Sequence, residues 1–166
     1  MSKNDDLTEA IRKGDVTAAA ALLDDDRSLL HAAAGPVSAI LLAVYHGRRD
    51  IAQLFLDRGA DVNAASRNAQ RVAPVHAAAT IGDAASLRLL LERGADPNAR
   101  QHLGYAPLHS AAANDDRATS EILLAHGADP HAKTDDGKTP ADLATERGHG
   151  ELADWLRGQP DHPTTP

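Results

Sequence analysis

The phrase Gly-Ala-Asp occurs at 59–61, 94–96 and 127–129, each time closing a Leu-rich stretch. Other equivalent residues keep a common interval. Pro74, Pro107 and Pro140 are 33 residues apart, as are Gly14 and Gly47, Gly82 and Asp115, and Asp115 and Gly148, while Gly47 to Gly82 is 35. A fixed period of this length marks one supersecondary unit copied in tandem, and only stacked copies bury a continuous core. The chain is thereby constrained to an elongated array.

Composition fits such an array. Hydrophobic residues make up 42% of the 166, yet there is one Phe, one Trp and two Tyr. The core must be thin and extended, filled by Leu, Val and Ile over closely packed Ala. The formal charge is -7, with Asp clusters at 24–26, 115–116 and 135–136. These would repel a phosphate backbone, so nucleic acid is not expected as a partner. The absence of Cys removes disulfides, thiolate metal sites and Cys nucleophiles. The start carries no secretory apolar run, and no stretch approaches the roughly 20 apolar residues that span a bilayer. The expectation is a soluble cytoplasmic protein with no membrane partner.

Each unit reads as a short helix, a tight turn and a second helix, as in Pro107 to Asn114 followed by Ala118 to His126. Gly14, Gly47, Gly82 and Gly148 follow the first helices, where a left-handed residue closes the last turn. Asp115 takes that place in the fourth unit, a residue that tolerates the left-handed region better than most. The second helices carry an apolar stripe at spacings of three and four: Ile51, Leu54 and Phe55; Leu87, Leu90 and Leu91; Ala118, Ile122 and Leu123; Leu152, Trp155 and Leu156. Thr139-Pro140 with Asp142 is the clearest helix start, and Ser38 is the cap of its unit.

The period near 33, two helices per unit, the Gly-Ala-Asp phrases and Pro74, His76, Pro107 and His109 together resemble the ankyrin repeat. The resemblance covers about 150 residues. It implies an all-α ankyrin-repeat solenoid with short β-turn fingers, forming a single domain over 1–158. Its expected parts are an N-terminal cap over 5–34, internal repeats over 35–69, 70–102 and 103–135, and a C-terminal cap over 136–158. A Pro-rich flexible tail, 159–166, follows. Against the family pattern, Ala73 and Ala106 replace a capping Thr, which should lose on the order of 1 kcal/mol each. The first unit, with helices over Leu7 to Lys13 and Thr17 to Leu23, swaps the usual exit for Asp24-Asp25-Asp26. Asp142, Glu146, Arg147 and Asp154 make the last unit polar. A cap needs a polar outer face, so the expectation is a complete array.

Nine His raise the question of metal or base chemistry. The resemblance gives His76 and His109 a structural part, bonding neighbouring turns, and His126, His131 and His149 fall at helix ends or in turns. Glu146 and His149 are separated by the helix-ending Gly148 and need not share a face. Gly148-His149-Gly150 lacks the βαβ setting of a dinucleotide site, and no Ser sits in a nucleophile-elbow phrase. No catalytic residue, cofactor or metal is assigned. Asn63 and Asn98 match a position hydroxylated in some family members and are read here as structural; His131 replaces it in the fourth unit.

What remains is a surface. Family members commonly bind proteins on a concave face lined by the first helices and finger tips. Carried onto this chain, the helix contribution is Arg12, Lys13, Tyr45, His46, Thr80, Ile81, Ala113, Asn114, Glu146 and Arg147. The fingers add Arg71, His102, Leu103, Tyr105, Asp136 and Lys138. Both Tyr, with Ile81 and Leu103, are expected to face outward, and Tyr is favoured at binding hot spots. The segment Ala65 to Ala73 makes one finger two residues longer, and its Arg67 and Arg71 allow it to be a contact element. The expected function is a non-enzymatic module, itself a monomer, that binds a folded protein. The alternatives are a self-associating scaffold and a His-based metal protein.

Overall fold

The computed structural model describes residues 2–31, 33–34 and 37–161. Residues 32, 35 and 36, at the junction of the first two expected units, and 162–166 of the expected tail lie outside the described residues. Among the described residues ten α-helices follow one another in pairs: α1 (Lys3–Lys13) and α2 (Val16–Asp25), α3 (Ala39–Tyr45) and α4 (Arg49–Asp57), α5 (Pro74–Ile81) and α6 (Ala84–Glu92), α7 (Pro107–Ala113) and α8 (Arg117–Ala125), and α9 (Pro140–Glu146) and α10 (Gly150–Arg157). Between α2 and α3 lie a 3-10 turn (Arg27–His31) and a two-stranded antiparallel hairpin, β1 (Ala33–Ala34) and β2 (Val37–Ser38). The all-α solenoid that the resemblance implies is the fold observed.

The helix starts follow from side-chain chemistry. Ser2 and Asp5 form a capping box, with the Asp5 N–H donating to Ser2 Oγ at 3.2 Å and the Ser2 N–H donating to Asp5 Oδ2 at 2.9 Å. Helix α1 therefore begins at Lys3 and not at Leu7. Thr139 and Asp142 repeat the box on α9. Asp15, Asp83 and Asp116 cap α2, α6 and α8. Ala73 and Ala106 supply no side-chain acceptor, as expected, but half of a box survives: their own N–H groups donate to His76 Nδ1 at 3.3 Å and His109 Nδ1 at 3.1 Å. Gly14, Gly47, Gly82 and Gly148 all have positive φ, and Asp115 adopts 57° in the same role.

Each first helix packs on the next in the order α1, α3, α5, α7, α9, and the second helices α2, α4, α6, α8 form a parallel row. The core lies between the rows, built of Leu, Ile, Val and Ala with Phe55 its largest fully buried side chain. One assignment is corrected. Ala118 is exposed, and Thr119 and Ser120 take the inward positions of α8. Both hydroxyls find partners on the N-cap residue, Thr119 Oγ1 on Asp116 Oδ2 at 2.6 Å and Ser120 Oγ on the Asp116 carbonyl at 2.8 Å. Satisfied in this way, a polar side chain can be buried without penalty.

Between units the chain runs out into fingers bonded side by side. The Asp96 N–H donates to Asn63 Oδ1 at 3.0 Å, and the Asp129 N–H donates to Asn98 Oδ1 at 2.8 Å. Asn98 Nδ2 donates in turn to the Gly127 carbonyl at 2.9 Å. His131, standing where the next Asn would be, bonds the Gln159 carbonyl at 3.0 Å. Nearer the tips, the His102 N–H donates to the Gln70 carbonyl and the Asp135 N–H to the Leu103 carbonyl, each at 2.9 Å. The longer finger closes on itself: the Ser66 N–H donates to the Val72 carbonyl at 2.8 Å, and the Val72 N–H donates to Ser66 Oγ at 2.9 Å.

Candidate protein-binding face

The first-helix row ends in a line of side chains at the last turn of each helix. Arg12 and Lys13 close α1, exposed and both bonded to Glu9, at 3.1 and 3.3 Å. Tyr45 and His46 close α3, Thr80 and Ile81 close α5, Ala113 and Asn114 close α7, and Glu146 and Arg147 close α9. All but Ala113 are exposed. Partial burial pushes the Tyr45 phenol above its usual range. Asn114 Nδ2 donates to the Thr80 carbonyl at 3.0 Å, which commits that side chain to stitching two repeats together.

Arg71, His102 and Leu103 lie exposed at the finger tips. Arg71 and Leu103 both sit in the left-handed region, at φ 52° and 59°. Lys138 is half-buried and held by Glu146, with Nζ 2.9 Å from Oε1, and lies 3.7 Å from Asp136. Its pKa is raised, first by the hydrogen bond to Glu146. Tyr105 departs from the outward placement expected of it. It is half-buried, with its ring edge-on to His109 at 5.7 Å between centroids. His109 is fixed in turn by the Lys138 carbonyl, so Tyr105 packs on the array.

Among the described residues four large apolar side chains remain in the open: Val16, at the start of α2, is 37% exposed, Tyr45 43%, Ile81 46% and Leu103 55%. The last three come from three successive units. Two further His side chains have local partners. His126 Nδ1 lies 2.8 Å from the Ile122 carbonyl, and His149 lies 3.7 Å from Asp115. Among the described residues no three His, Asp or Glu side chains are grouped to hold a metal ion, and no helix is long and apolar enough to cross a membrane. Signals that sequence reasoning passed over were the strained backbone of Arg71 and Leu103, which neither residue type announces.

The family model for ankyrin repeats in three copies matches residues 75–164, and the single-repeat model matches 25–67. The chain belongs to the ankyrin-repeat family. Ankyrin repeats mark a protein–protein interaction module, in general a non-enzymatic one. Delta-latroinsectotoxin-Lt1a of Latrodectus tredecimguttatus is 35% identical over 97 residues, which is 58% of this chain and 7% of the toxin. An ankyrin repeat-containing protein of Schizosaccharomyces pombe is 38% identical over 65 residues, 39% of this chain and 30% of that protein. The chain thus spans less than a third of either curated relative.

Proposed function

We propose that residues 1–158 form one ankyrin domain that acts without catalysis. It is a cytoplasmic monomer that docks a folded protein against the finger tips and the ends of the first helices, the concave side of such arrays. The observation that carries this reading is the exposure of Tyr45, Ile81 and Leu103 on three successive repeats, while the other large apolar side chains among the described residues, Val16 apart, are buried or half-buried. Exposed apolar groups grouped on a rigid scaffold are the usual mark of an interface.

The test compares the wild-type chain with a Tyr45→Ala, Ile81→Ala, Leu103→Ala variant in affinity capture from native lysate, with circular dichroism to check the fold. A protein retained by the wild type and lost by the folded variant supports the assigned face. Equal retention by both moves the interface elsewhere on the array. Light scattering over a wide concentration range reads the monomer directly, and mass growing with concentration would replace it with a self-associating scaffold.

A further inference from the structure

Arg71 occupies the finger position held by Gly104 and Gly137 in the next two repeats, which have φ of 76° and 84°. Arg71 keeps the same left-handed backbone at 52° despite its Cβ, and Leu103, on the adjoining finger, does so at 59°. The bond from the His102 N–H to the Gln70 carbonyl, 2.9 Å, places the two on neighbouring tips. Both side chains are exposed. A strained backbone that presents an exposed side chain gains the chain no burial in return, and observed strain of this kind collects at binding sites.

Most acidic groups on this side already have a cationic partner: Glu9 pairs with Arg12 and Lys13, Asp135 with Arg100, and Glu146 and Asp136 share Lys138. Arg67, Arg71 and Arg147 make no side-chain hydrogen bond or ion pair among the described residues. A chain of net charge -7 therefore offers free guanidinium groups here, two of them on the long finger beside Leu103.

We infer that the two adjoining finger tips bind an acidic segment of the partner protein, its carboxylates bonded by Arg67 and Arg71 and an apolar side chain lying against Leu103. This inference rests on the interaction role proposed above and names the chemistry of the partner. Guanidinium forks pair with carboxylates through two parallel hydrogen bonds, and complementary charge speeds and orients docking.

The experiment selects phage-displayed random dodecapeptides on the full chain in about 50 mM and about 500 mM salt, where screening differs several-fold. Expected are peptides of net negative charge with a large apolar residue between Asp or Glu. Their capture should fall roughly tenfold in the higher salt and again on an Arg67→Glu, Arg71→Glu variant that keeps its circular dichroism spectrum. Enrichment of neutral or basic peptides, no enrichment, or undiminished capture by the double variant overturns the inference. So does a labelled single-stranded DNA oligonucleotide that displaces the peptides through the same two Arg. Acidic peptides lost by the Arg variant but held by a Tyr45→Ala, Ile81→Ala variant keep the finger-tip site and remove the wider face. Loss by the Tyr45, Ile81 variant alone does the reverse.

Discussion

His76 Nε2 lies 3.2 Å from the carbonyl oxygen of Tyr105 in the following repeat, while His76 Nδ1 accepts the Ala73 N–H. Because Nδ1 is the acceptor, the proton must be on Nε2, which donates to Tyr105. His109 repeats the arrangement one unit on, between the Ala106 N–H and the Lys138 carbonyl at 3.1 Å. Each ring ties a helix start to the next finger, and each can do so only while neutral.

Burial pushes both imidazoles below their usual range. In the unfolded chain they protonate near the ordinary value of about 6.5, so below that pH the unfolded state binds more protons. Stability from these groups is complete above that value and is lost as pH falls toward the lower folded values. Thermal midpoints measured from about pH 8 to about pH 5 should decline once pH passes below about 6.5. The decline should be shallower in a His109→Gln variant, and a midpoint independent of pH across that window would contradict the neutral-ring assignment.

Replacing Arg71 by Gly should raise stability by about 1 kcal/mol, because a residue with a Cβ pays on the order of 1–2 kcal/mol for left-handed backbone and Gly does not. The same substitution should weaken capture of acidic peptides. Urea denaturation and peptide capture on one protein preparation read both effects, and a destabilised Arg71→Gly would show that the side chain serves the fold.

Ala73→Thr and Ala106→Thr should each restore a hydroxyl cap and add about 1 kcal/mol. The sites belong to different helices 33 residues apart, so the gains should add. For a chain of this size each corresponds to about 2–4 °C in a calorimetric midpoint. No gain would mean that the surroundings of these buried alanines do not yield to the larger side chain.

Asn98 makes two bonds to the next finger, and Asn98→Ala should cost about 1–2 kcal/mol, since the freed groups are exposed and water can reach them. Hydrogen exchange should show the loss at the Asp129 amide. Unchanged protection there would mean that the backbone, not Asn98, sets the spacing of the fingers.

The architecture was legible because repetition exposes it. Glycines at a fixed interval and Pro at 74, 107 and 140 report backbone requirements that hardly depend on tertiary context. Ala118 was misplaced because the stripe was read as apolar, whereas Asp116 satisfies Thr119 and Ser120 and lets them turn inward. The early start of α1 was available in Ser2 and Asp5, a short capping phrase easily lost among the polar residues around it. Tyr105 looked like a surface aromatic because it was read as a finger residue, whereas its ring folds back on His109, four residues on in the same repeat. Of the face, the positions of Tyr45, Ile81 and Leu103 were readable from register. The strain at Arg71 and Leu103 was not, since a left-handed Arg or Leu leaves no trace in composition.

The finger bonds at Asn63 and Asn98 join each repeat to its immediate successor. Pulled from its two ends, a molecule held together this way does not give all at once. It pays out in steps, each releasing one unit of 33 residues and about 110 Å of slack, so a force–extension trace should be a sawtooth with that spacing.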